Sequence, residues 1–232
     1  MKNKRRKLLI AIPAFNEEKT LPIVLKQIPN KIKYIDKSII LVIDDGSYDN
    51  TCQVAQKKAL VLRHSINRGL GAAITTGFEM AKKLSVDCMI TIDADCQHDP
   101  KVIPQFVEKV LGKKFDVVVG SRLKKSPNKM PFSRKAVNKI ANIITFLITG
   151  FWSTDSQSGY RAFSKKAICK MKLTTQRMEV SSEIFREVKN NKLRYTEIPI
   201  KPIYTPYSLK KGQSILNAPN VLFKLIIRTT KI

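Results

Sequence analysis

Acidic side chains are scarce in this sequence. Over 232 residues, Asp and Glu together number 18 against 43 Lys and Arg, which leaves a formal net charge of +25. So strong an imbalance says little about the fold, but it predicts anionic partners such as nucleic acid, anionic lipid or phosphorylated substrates. The hydrophobic content of 43% argues against disorder and allows a sizeable core to be buried.

Cysteines are also few, and none has the spacing of a zinc site. The sequence contains no C-x-x-C pair, so neither a zinc ribbon nor a disulfide scaffold is indicated. Such isolated residues are typical of reduced thiols in a cytosolic chain. The four cysteines are Cys52, Cys88, Cys96 and Cys169.

Long hydrophobic runs are absent. No stretch reaches 18 uninterrupted apolar residues, so nothing here is expected to span a bilayer unaided. The basic start resembles the beginning of a signal peptide, but the apolar stretch Leu8–Ile12 is too short to continue one. Two segments, Ile140–Trp152 and Ile215–Ile232, suit amphipathic helices lying in a membrane interface. The alternative is that each packs its apolar face on the core.

Apolar strands alternate with helical patterns through the first half of the chain. This order predicts βαβ units and a mostly parallel α/β sheet that is covered by helices on both faces. The predicted strands are Leu8–Pro13, Ser38–Ile43, Leu60–His64, Val86–Asp93 and Phe115–Gly120, and the predicted helices are Glu17–Gln27, Asn50–Lys58, Gly69–Leu84 and Pro100–Leu111. A later helix is predicted over Ser181–Asn190 and a strand over Leu193–Ile198.

A polar cluster follows each of the five predicted strands. In parallel sheets ligands bind outside the carboxyl ends of the strands, near the point where the strand order switches. One rim of the sheet should therefore carry the chemistry. The clusters are residues 13–17, 44–46, 67–71, 93–95 and 120–122.

The most informative cluster is Asp93-Ala94-Asp95, at the end of a buried strand. Two close carboxylates raise each other's pKa unless a cation lies between them. Oxygen ligands of this kind suit Mg²⁺ or Mn²⁺, which bind through one or two carboxylates and the phosphates of a substrate. The alternative is an ordinary solvated loop, because Asp commonly follows a strand.

Taken together, the clusters resemble the family 2 glycosyltransferases, in the polyprenyl-phosphate (dolichyl-phosphate mannose synthase-like) branch. Six matches occur in the family's order and cover roughly residues 7–215, which makes the resemblance specific. The matching segments are Ala11–Glu18, Val42–Ser47, Asn67–Ala73, Asp93–His98, Gly120–Arg122 and Asp155–Arg161.

The resemblance implies a GT-A fold, a GDP- or UDP-linked sugar donor, Mg²⁺ or Mn²⁺, and an inverting transfer of a hexose to polyprenyl or dolichyl phosphate. It also implies a role for individual residues at the rim. It assigns Pro13, Phe15, Glu17, Ile43 and Asp45 to the base and ribose pocket, Asp93 and Ala94 to donor contacts, Asp95 and Gln97 to the metal, Arg122 to the donor phosphates, and Arg134 to the lipid phosphate.

The acceptor decides whether a general base is needed. A phosphate acceptor is already ionised at pH 7, whereas a glycan hydroxyl would require a carboxylate base. Asp155 is the candidate base, and its alternative role is to cap the turn that follows it. In either case Arg122 and a cation would stabilise the leaving diphosphate.

We interpret residues 1–232 as one GT-A domain, with a nucleotide-sugar half (7–122), an acceptor half (123–214) and a basic amphipathic helix (215–232). The family's late basic motif is matched only loosely, by Lys210 and Lys211. Because no transmembrane helix is predicted, attachment to the membrane is expected to be peripheral, on the inner face of an anionic membrane, or through a small membrane-protein partner. The sequence leaves the sugar and the nucleotide open.

Three rival functions remain at this point. Gly69–Ile74 almost matches a dinucleotide fingerprint, but it lacks the third glycine and follows the third strand instead of the first. A nucleic-acid-binding protein would explain the charge of +25, but not the acidic pairs at strand ends, and we expect no nucleic acid as partner. A non-catalytic glycosyltransferase-like subunit is disfavoured by the intact Asp93, Asp95 and Gln97.

For Glu17 and Asp45 we expect exposed loop positions.

Overall fold

A computed structural model describes residues 5–124 and 132–204, and for residues 132 and 133 it describes the backbone alone. Within these ranges the chain forms one seven-stranded sheet, in the order β3-β2-β1-β4-β6-β5-β7. The strands are β1 (Lys7–Ala14), β2 (Lys37–Asp44), β3 (Leu60–Arg63), β4 (Cys88–Thr91), β5 (Val117–Ser121), β6 (Arg161–Ser164) and β7 (Tyr195–Pro199).

Helices cover both faces of this sheet, as predicted. One core layer packs beneath α1, α2 and α4, and the other packs beneath α3, α6 and α7. The helices are α1 (Leu21–Gln27), α2 (Thr51–Gln56), α3 (Leu70–Lys83), α4 (Ile103–Val107), α5 (Phe132–Thr149), α6 (Lys165–Lys170) and α7 (Val180–Asn190). A 3₁₀ turn (Pro100–Val102) precedes α4 and a π turn (Glu108–Gly112) follows it.

The central strands are buried on both faces, which explains their continuous apolar sequences. In β1, Leu8, Leu9, Ile10 and Ile12 are fully buried. Strand β1 pairs in parallel with both β2 and β4. The chain moves outward from β1 to β3 and then returns to β4 on the other side of β1. The switch in strand order therefore lies between β1 and β4, where the sheet opens at its carboxyl rim.

One strand was not predicted. β6 lies between β4 and β5 and is antiparallel to both. Because its direction is reversed, the chain enters β6 from the carboxyl rim of the parallel strands. The segment before β6, which contains Asp155 and Gly159, is thereby brought to the same rim as Asp93 and Arg122.

Two predicted membrane segments have different outcomes. The first overlaps the second half of α5, with its last residues, 150–152, beyond the helix end. Residues 215–232, together with Lys210 and Lys211, lie outside the described residues. Most of the basic segment before α5 also lies outside them. Among residues 5–124 and 132–204, none of the helices combines the length and the apolar character that crossing a membrane requires.

Candidate active site at the carboxyl rim of the sheet

The loops after β1 and β4 meet at the switch point and form the floor of a cleft. The Cys96 thiol approaches the carbonyl oxygen of Thr20 at 3.4 Å, which ties the second loop to the first. Asn16 and Cys96 have positive φ angles of 55° and 63°, a region that residues other than glycine rarely occupy. Such strained positions cluster at functional sites because the surrounding structure must hold them there.

Asp93 lies at the centre of this floor. One carboxylate oxygen, Oδ2, is 3.2 Å from Nε2 of the buried His98, and about a third (34%) of the Asp93 side chain remains exposed. Burial raises the pKa of Asp93, but the hydrogen bond and charge of His98 and the charges of Arg122 and Arg161 outweigh it. The pKa of Asp93 therefore lies below its ordinary value, and the group stays ionised.

Asp95 and Gln97 lie side by side in the same loop. The Gln97 amide nitrogen donates to Asp95 Oδ2 at 2.5 Å, and the Gln97 backbone N–H donates to Asp95 Oδ1 at 3.0 Å. Burial, and then the negative charge of Asp93, raise the pKa of Asp95. Among the described residues no basic side chain forms an ion pair with Asp95, so its charge lacks the compensation that Asp93 receives.

This electrostatic imbalance fits a divalent cation. The described residues contain no group of three or more His, Cys, Asp and Glu side chains that could hold a metal. A cation at this position would therefore take two oxygen ligands from the described residues, one from Asp95 and one from Gln97. The amide oxygen of Gln97 becomes available when the oxygen and nitrogen exchange places by a flip. Mg²⁺ commonly binds in this way, taking its remaining ligands from water and from substrate phosphates.

Arg122 lies near Asp93 and forms a buried ion pair with Asp155. Its Nε and NH2 atoms donate to the two oxygens of Asp155, each at 2.7 Å, and its backbone N–H donates at 2.8 Å. Burial lowers the pKa of Arg122, but the adjacent carboxylate outweighs it and the pKa is raised. Asp155 does not cap its own turn with its side chain; it holds Arg122 in place.

Arg161 supports the loop that carries Asp155. The side chain is buried and donates to the carbonyl oxygens of Ser158 and Ser156, both at 2.7 Å. Burial lowers the pKa of Arg161 to about 10, although nearby Tyr195, Asp93 and Asp155 act in the opposite direction. No separate role was predicted for Arg161, and its position in the Ser-Gly-Tyr-Arg match is the signal that could have found it.

Arg134 also reaches the neighbourhood of Arg122. Its guanidinium carbon is 5.4 Å from the ring centroid of Tyr204. Burial raises the pKa of Tyr204, while the charges of Arg122 and Arg134 oppose that rise. Tyr204 therefore lies near both arginines, and no sequence pattern pointed to it.

The residues that were predicted to line the base and ribose pocket differ in how far their side chains are exposed. Phe15 is half-buried and contacts Tyr48 edge to face, with ring centroids 6.0 Å apart. Glu17 is 7% exposed and accepts a hydrogen bond from Thr20 Oγ1 at 2.5 Å. Pro13, at the end of β1, is half-buried. The expectation of an exposed Glu17 was wrong, because the loop folds back on its own helix start.

Asp45 is buried as well, contrary to expectation. Its oxygens accept the backbone N–H groups of Arg68 at 3.0 Å and Gly69 at 2.7 Å, and Oδ1 lies 2.7 Å from Nδ1 of His64. Only 4% of the residue is exposed. Asp45 thus fixes the loop after β3, and its contact with the nucleotide stays a prediction.

Two assigned residues place their side chains in the core. Ile43 is fully buried in the layer under α3, and Ala94 is 4% exposed in the opposite layer. Alternate residues of a strand point to opposite faces of the sheet and neither face is the rim, so the contact of Ile43 with the nucleotide stays a prediction that its backbone would have to fulfil. Only backbone groups of these two residues can face a ligand.

The glycines after β3 meet protein backbone. A Cβ atom on Gly71 would lie 2.2 Å from the carbonyl oxygen of Thr175, and one on Gly69 would lie 2.7 Å from that of Gln176. The Ala72 N–H also donates to the Gln176 oxygen at 2.9 Å. In a dinucleotide fingerprint these glycines would let the pyrophosphate approach, whereas here segment 174–177 fills that space.

Comparison with known proteins agrees with this geometry. The sequence profile described as "Glycosyl transferase family 2" matches residues 9–171. An uncharacterized protein of Methanocaldococcus jannaschii is 41% identical over 226 residues, which cover 95% of this chain and 91% of that protein. The UDP-N-acetylglucosamine–dolichyl-phosphate N-acetylglucosaminyltransferase of Methanococcus voltae is 35% identical over 242 residues, 95% of either chain.

Among solved structures, glucosyl-3-phosphoglycerate synthase from Mycobacterium tuberculosis, crystallised with Mn²⁺, UDP and glucosyl-3-phosphoglycerate, has the same fold. The TM-score is 0.72 at 17% sequence identity, covering 98% of this chain and 81% of that one. The chain therefore belongs to glycosyltransferase family 2, as its motifs predict, and is a glycosyltransferase of the GT-A fold.

Proposed function

We propose that this glycosyltransferase moves a sugar from a nucleotide-diphosphate donor to a polyprenyl phosphate at an anionic membrane surface. The observation that carries the proposal is the meeting of an acidic cluster and two arginines in one cleft. Asp93 and Asp95 lie on the floor at the switch point, and Arg122 lies near Asp93 with Arg134 nearby. The Methanococcus voltae relative, whose name specifies UDP-N-acetylglucosamine and dolichyl phosphate, supports this donor and acceptor class.

On the donor side, each group has a separate task. Asp93, ionised and partly exposed, accepts hydrogen bonds from the donor, and Phe15 and Glu17 lie on the loop that would face the base and ribose. Asp95 and Gln97 would hold Mg²⁺ or Mn²⁺, which when bound supplies positive charge to the leaving diphosphate. The residues of this chain bind and orient the donor so that its anomeric carbon faces the acceptor.

Arg122 stabilises the leaving group. Two of its five N–H donors are engaged by Asp155, which leaves the other donors for phosphate oxygens. A guanidinium that is already oriented stabilises developing charge without having to reorganise during the reaction. Asp155 thereby acts as a positioning residue for Arg122.

The same ion pair favours a phosphate acceptor over a glycan hydroxyl. A general base needs a free carboxylate oxygen, but both oxygens of Asp155 accept hydrogen bonds from Arg122. A polyprenyl phosphate is ionised at pH 7 and attacks without a base. Arg134, near Arg122 and Tyr204, would bind that phosphate.

Helix α5 supports the membrane surface, because its most buried positions are polar and several of its apolar side chains are exposed. Over positions 134–149, whose burial is described, the three buried residues are Asn142, Thr145 and Thr149, whereas Ile144 and Ile148 are half-buried. Thr145 Oγ1 is 3.2 Å from Ser156 Oγ and 3.1 Å from Ser182 Oγ. The exposed apolar positions are Ile140, Ile143, Phe146 and Leu147 on the helix and Trp152 just after it.

In water an amphipathic helix turns its apolar side to the protein. A helix that packs through polar contacts and exposes isoleucine, leucine and aromatic side chains instead suits the boundary between lipid headgroups and acyl chains. The exposed Lys139 on the same helix and the net charge of +25 favour an anionic surface. The lipid-linked acceptor would then be presented beside Arg134, near the start of this helix, on the inner face of the membrane.

A donor and acceptor screen tests the proposal. UDP-N-acetylglucosamine is tried first, with UDP-glucose and GDP-mannose beside it, each with Mn²⁺ and a short-chain polyprenyl phosphate. We expect one donor to give a lipid-soluble glycosyl phosphate, and no product when the matching polyprenol, which lacks the phosphate, replaces the acceptor. Equal product with the polyprenol, or turnover only on a soluble glycan, would contradict the acceptor assignment.

A further inference from the structure

We propose that His98 is a positioning residue of the transfer reaction, which fixes the carboxylate of Asp93 toward the donor. The inference rests on the proposed function, because it concerns the same cleft. The imidazole ring of His98 is enclosed by protein beside the Asp93 carboxylate. His98 is 2% exposed, and its Nε2 atom lies 3.2 Å from Asp93 Oδ2.

The other side of the ring packs on an aromatic stack. The ring centroids of His98 and Tyr160 are 5.3 Å apart, and those of Tyr160 and Phe106 are 4.3 Å apart. The Tyr160 hydroxyl donates to the carbonyl oxygen of Asp99 at 3.3 Å, which anchors the stack to the same loop. The imidazole therefore has little freedom to turn away from Asp93.

Packing alone does not account for a histidine at this position. Its Nδ1 atom is buried without a hydrogen-bond partner among the described residues. A buried polar atom that lacks a partner is unfavourable, and an apolar ring of similar shape would avoid that cost. The group that specifically uses the imidazole is the Asp93 carboxylate, through Nε2.

Gly159 also confines Asp93. A Cβ atom at Gly159 would lie 2.3 Å from Oδ1 and 2.5 Å from Oδ2 of Asp93, so the carboxylate rests directly on the glycine backbone. That backbone is held by Thr91 of β4, whose Oγ1 donates to the Gly159 carbonyl at 2.8 Å. Asp93 is thus confined by both the imidazole and Gly159, and a third of its side chain stays exposed.

Confinement of this kind affects the reaction more than the binding of the nucleotide. Misplacing a reacting or orienting group by about 1 Å can cost on the order of 100-fold in rate. Partners that orient a functional side chain contribute roughly 10- to 100-fold when they are removed, as outer-shell groups do around metals. We therefore expect loss of the His98 N–H to lower kcat, with little change in nucleotide affinity.

The experiment compares His98→Phe, which keeps the ring shape, with His98→Gln, which keeps an N–H donor. With the donor identified in the screen, His98→Phe should lower kcat about 10- to 100-fold, and His98→Gln should recover part of that loss. The Kd for the nucleoside diphosphate with Mn²⁺ should change less than about threefold. The melting temperature of His98→Phe should change little, because removal of the unpaired Nδ1 offsets the lost bond to Asp93, whose side chain is 34% exposed.

A control and a double variant separate positioning from packing. Phe78→Leu disturbs a different buried aromatic pair, Phe78 with Phe163 (ring centroids 4.9 Å apart), and it should lower the melting temperature while leaving kcat nearly unchanged. In an Asp93→Asn background, adding His98→Phe should cause little further loss, because the two act as one unit. Should His98→Phe not fold, His98→Gln still tests the coupling. Its effect on kcat should then be smaller in the Asp93→Asn background than in the otherwise wild-type protein.

The outcomes are distinguishable from failure of the proposed function. If the wild type uses none of the nucleotide sugars with the lipid phosphate, the proposed function is wrong. If the wild type is active and His98→Phe has the same kcat, or if the losses of the two substitutions simply multiply, the positioning role is wrong.

Discussion

At the scale of single residues, the site depends on charges that are paired unequally. Asp155 has a cationic partner in Arg122 and Asp93 lies within hydrogen-bond reach of His98, whereas Asp95 has no ion-pair partner among the described residues. Removing one member of a buried ion pair leaves an uncompensated charge, which is costly. Removing an unpaired acid relieves repulsion and takes away the proposed place for a cation. Substitutions at these positions should therefore have opposite effects on stability.

Asp155→Asn should destabilise the protein and abolish most of its activity. The amide keeps the size of the carboxylate but leaves Arg122, whose side chain is only 13% exposed, without its counter-charge. Breaking a buried pair typically costs about 3–5 kcal/mol, and chemical denaturation would measure it. Lys166→Ala is the control, because Lys166 is about half exposed (48%) in its ion pair with Asp116 and should cost at most about 1 kcal/mol. Equal effects of the two substitutions would contradict the role given to Asp155.

Asp95→Ala should abolish transfer without lowering the stability of the ligand-free protein. Nucleoside diphosphate with Mn²⁺, at about 100 times its dissociation constant, should stabilise the wild type by roughly 2.7 kcal/mol. The variant should lose that stabilisation, as measured by thermal shift with and without Mn²⁺. Full turnover by the wild type after removal of divalent cations would argue against the metal role.

At the scale of elements, the segment between α6 and α7 closes over the start of α3. Glu183 of α7 accepts the N–H and hydroxyl groups of Thr174 and Thr175, at distances of 2.6 to 3.0 Å. Burial raises the pKa of Glu183, but these hydrogen bonds outweigh it and the pKa lies below its ordinary value. Segment 174–177 is thus held against Gly69 and Gly71, two glycines of the family match Asn67–Ala73 that also resemble part of a dinucleotide fingerprint.

Gly71→Ala should therefore destabilise the protein by about 1–3 kcal/mol, the usual cost of overpacking. The added methyl group would meet the Thr175 oxygen at 2.2 Å and two further backbone atoms within 2.9 Å. Gly112→Ala serves as the control, since its nearest neighbours are side-chain atoms at 3.3 and 3.5 Å. Thermal and urea denaturation would measure both variants. A Gly71→Ala protein as stable as the wild type would mean that segment 174–177 can move away from the added methyl group at little cost in free energy.

The outer face of α5 gives a prediction about membrane binding. The double variant Ile143→Ser, Leu147→Ser should reduce cosedimentation with anionic vesicles and leave the melting temperature nearly unchanged, because the two residues are 49% and 74% exposed. The matched control is Leu60→Ser with Ile23→Ser, at 54% and 49% exposure outside α5. Equal vesicle binding by both double variants would show that the α5 face does not enter the lipid.

At the scale of the whole molecule, the charge of +25 should dominate association with membranes. Each basic side chain near an anionic surface contributes on the order of 1 kcal/mol, and salt screens that attraction. We expect cosedimentation with phosphatidylglycerol vesicles at low ionic strength and its loss at high salt. Salt-insensitive binding that is equal on neutral vesicles would contradict the electrostatic contribution.

Local patterns in the sequence determined the layered fold and the rim that carries the chemistry. Strand and helix periods are written in consecutive residues, so β1 to β5 and α1 to α4 were predicted within a few residues of their ends. Polar residues at strand ends mark the carboxyl rim of a parallel sheet wherever those strands pair. Asp93, Asp95 and Gln97 all follow the end of one strand, so they could be placed together at this rim before any tertiary contact was known.

Tertiary structure alone decided which of these groups pair. Asp155 and Arg122 are 33 residues apart, and they meet because the antiparallel β6 returns the chain to the rim. Asp45 is buried because the loop after β3 donates backbone N–H groups to it, and the Glu17 backbone N–H donates to Thr51 Oγ1, at the start of α2, at 2.7 Å. Helix α5 turns polar side chains inward because Ser156 and Ser182 lie beneath it. Such contacts depend on strand order and loop packing, which bring together segments far apart in sequence, and no period within a single segment encodes them.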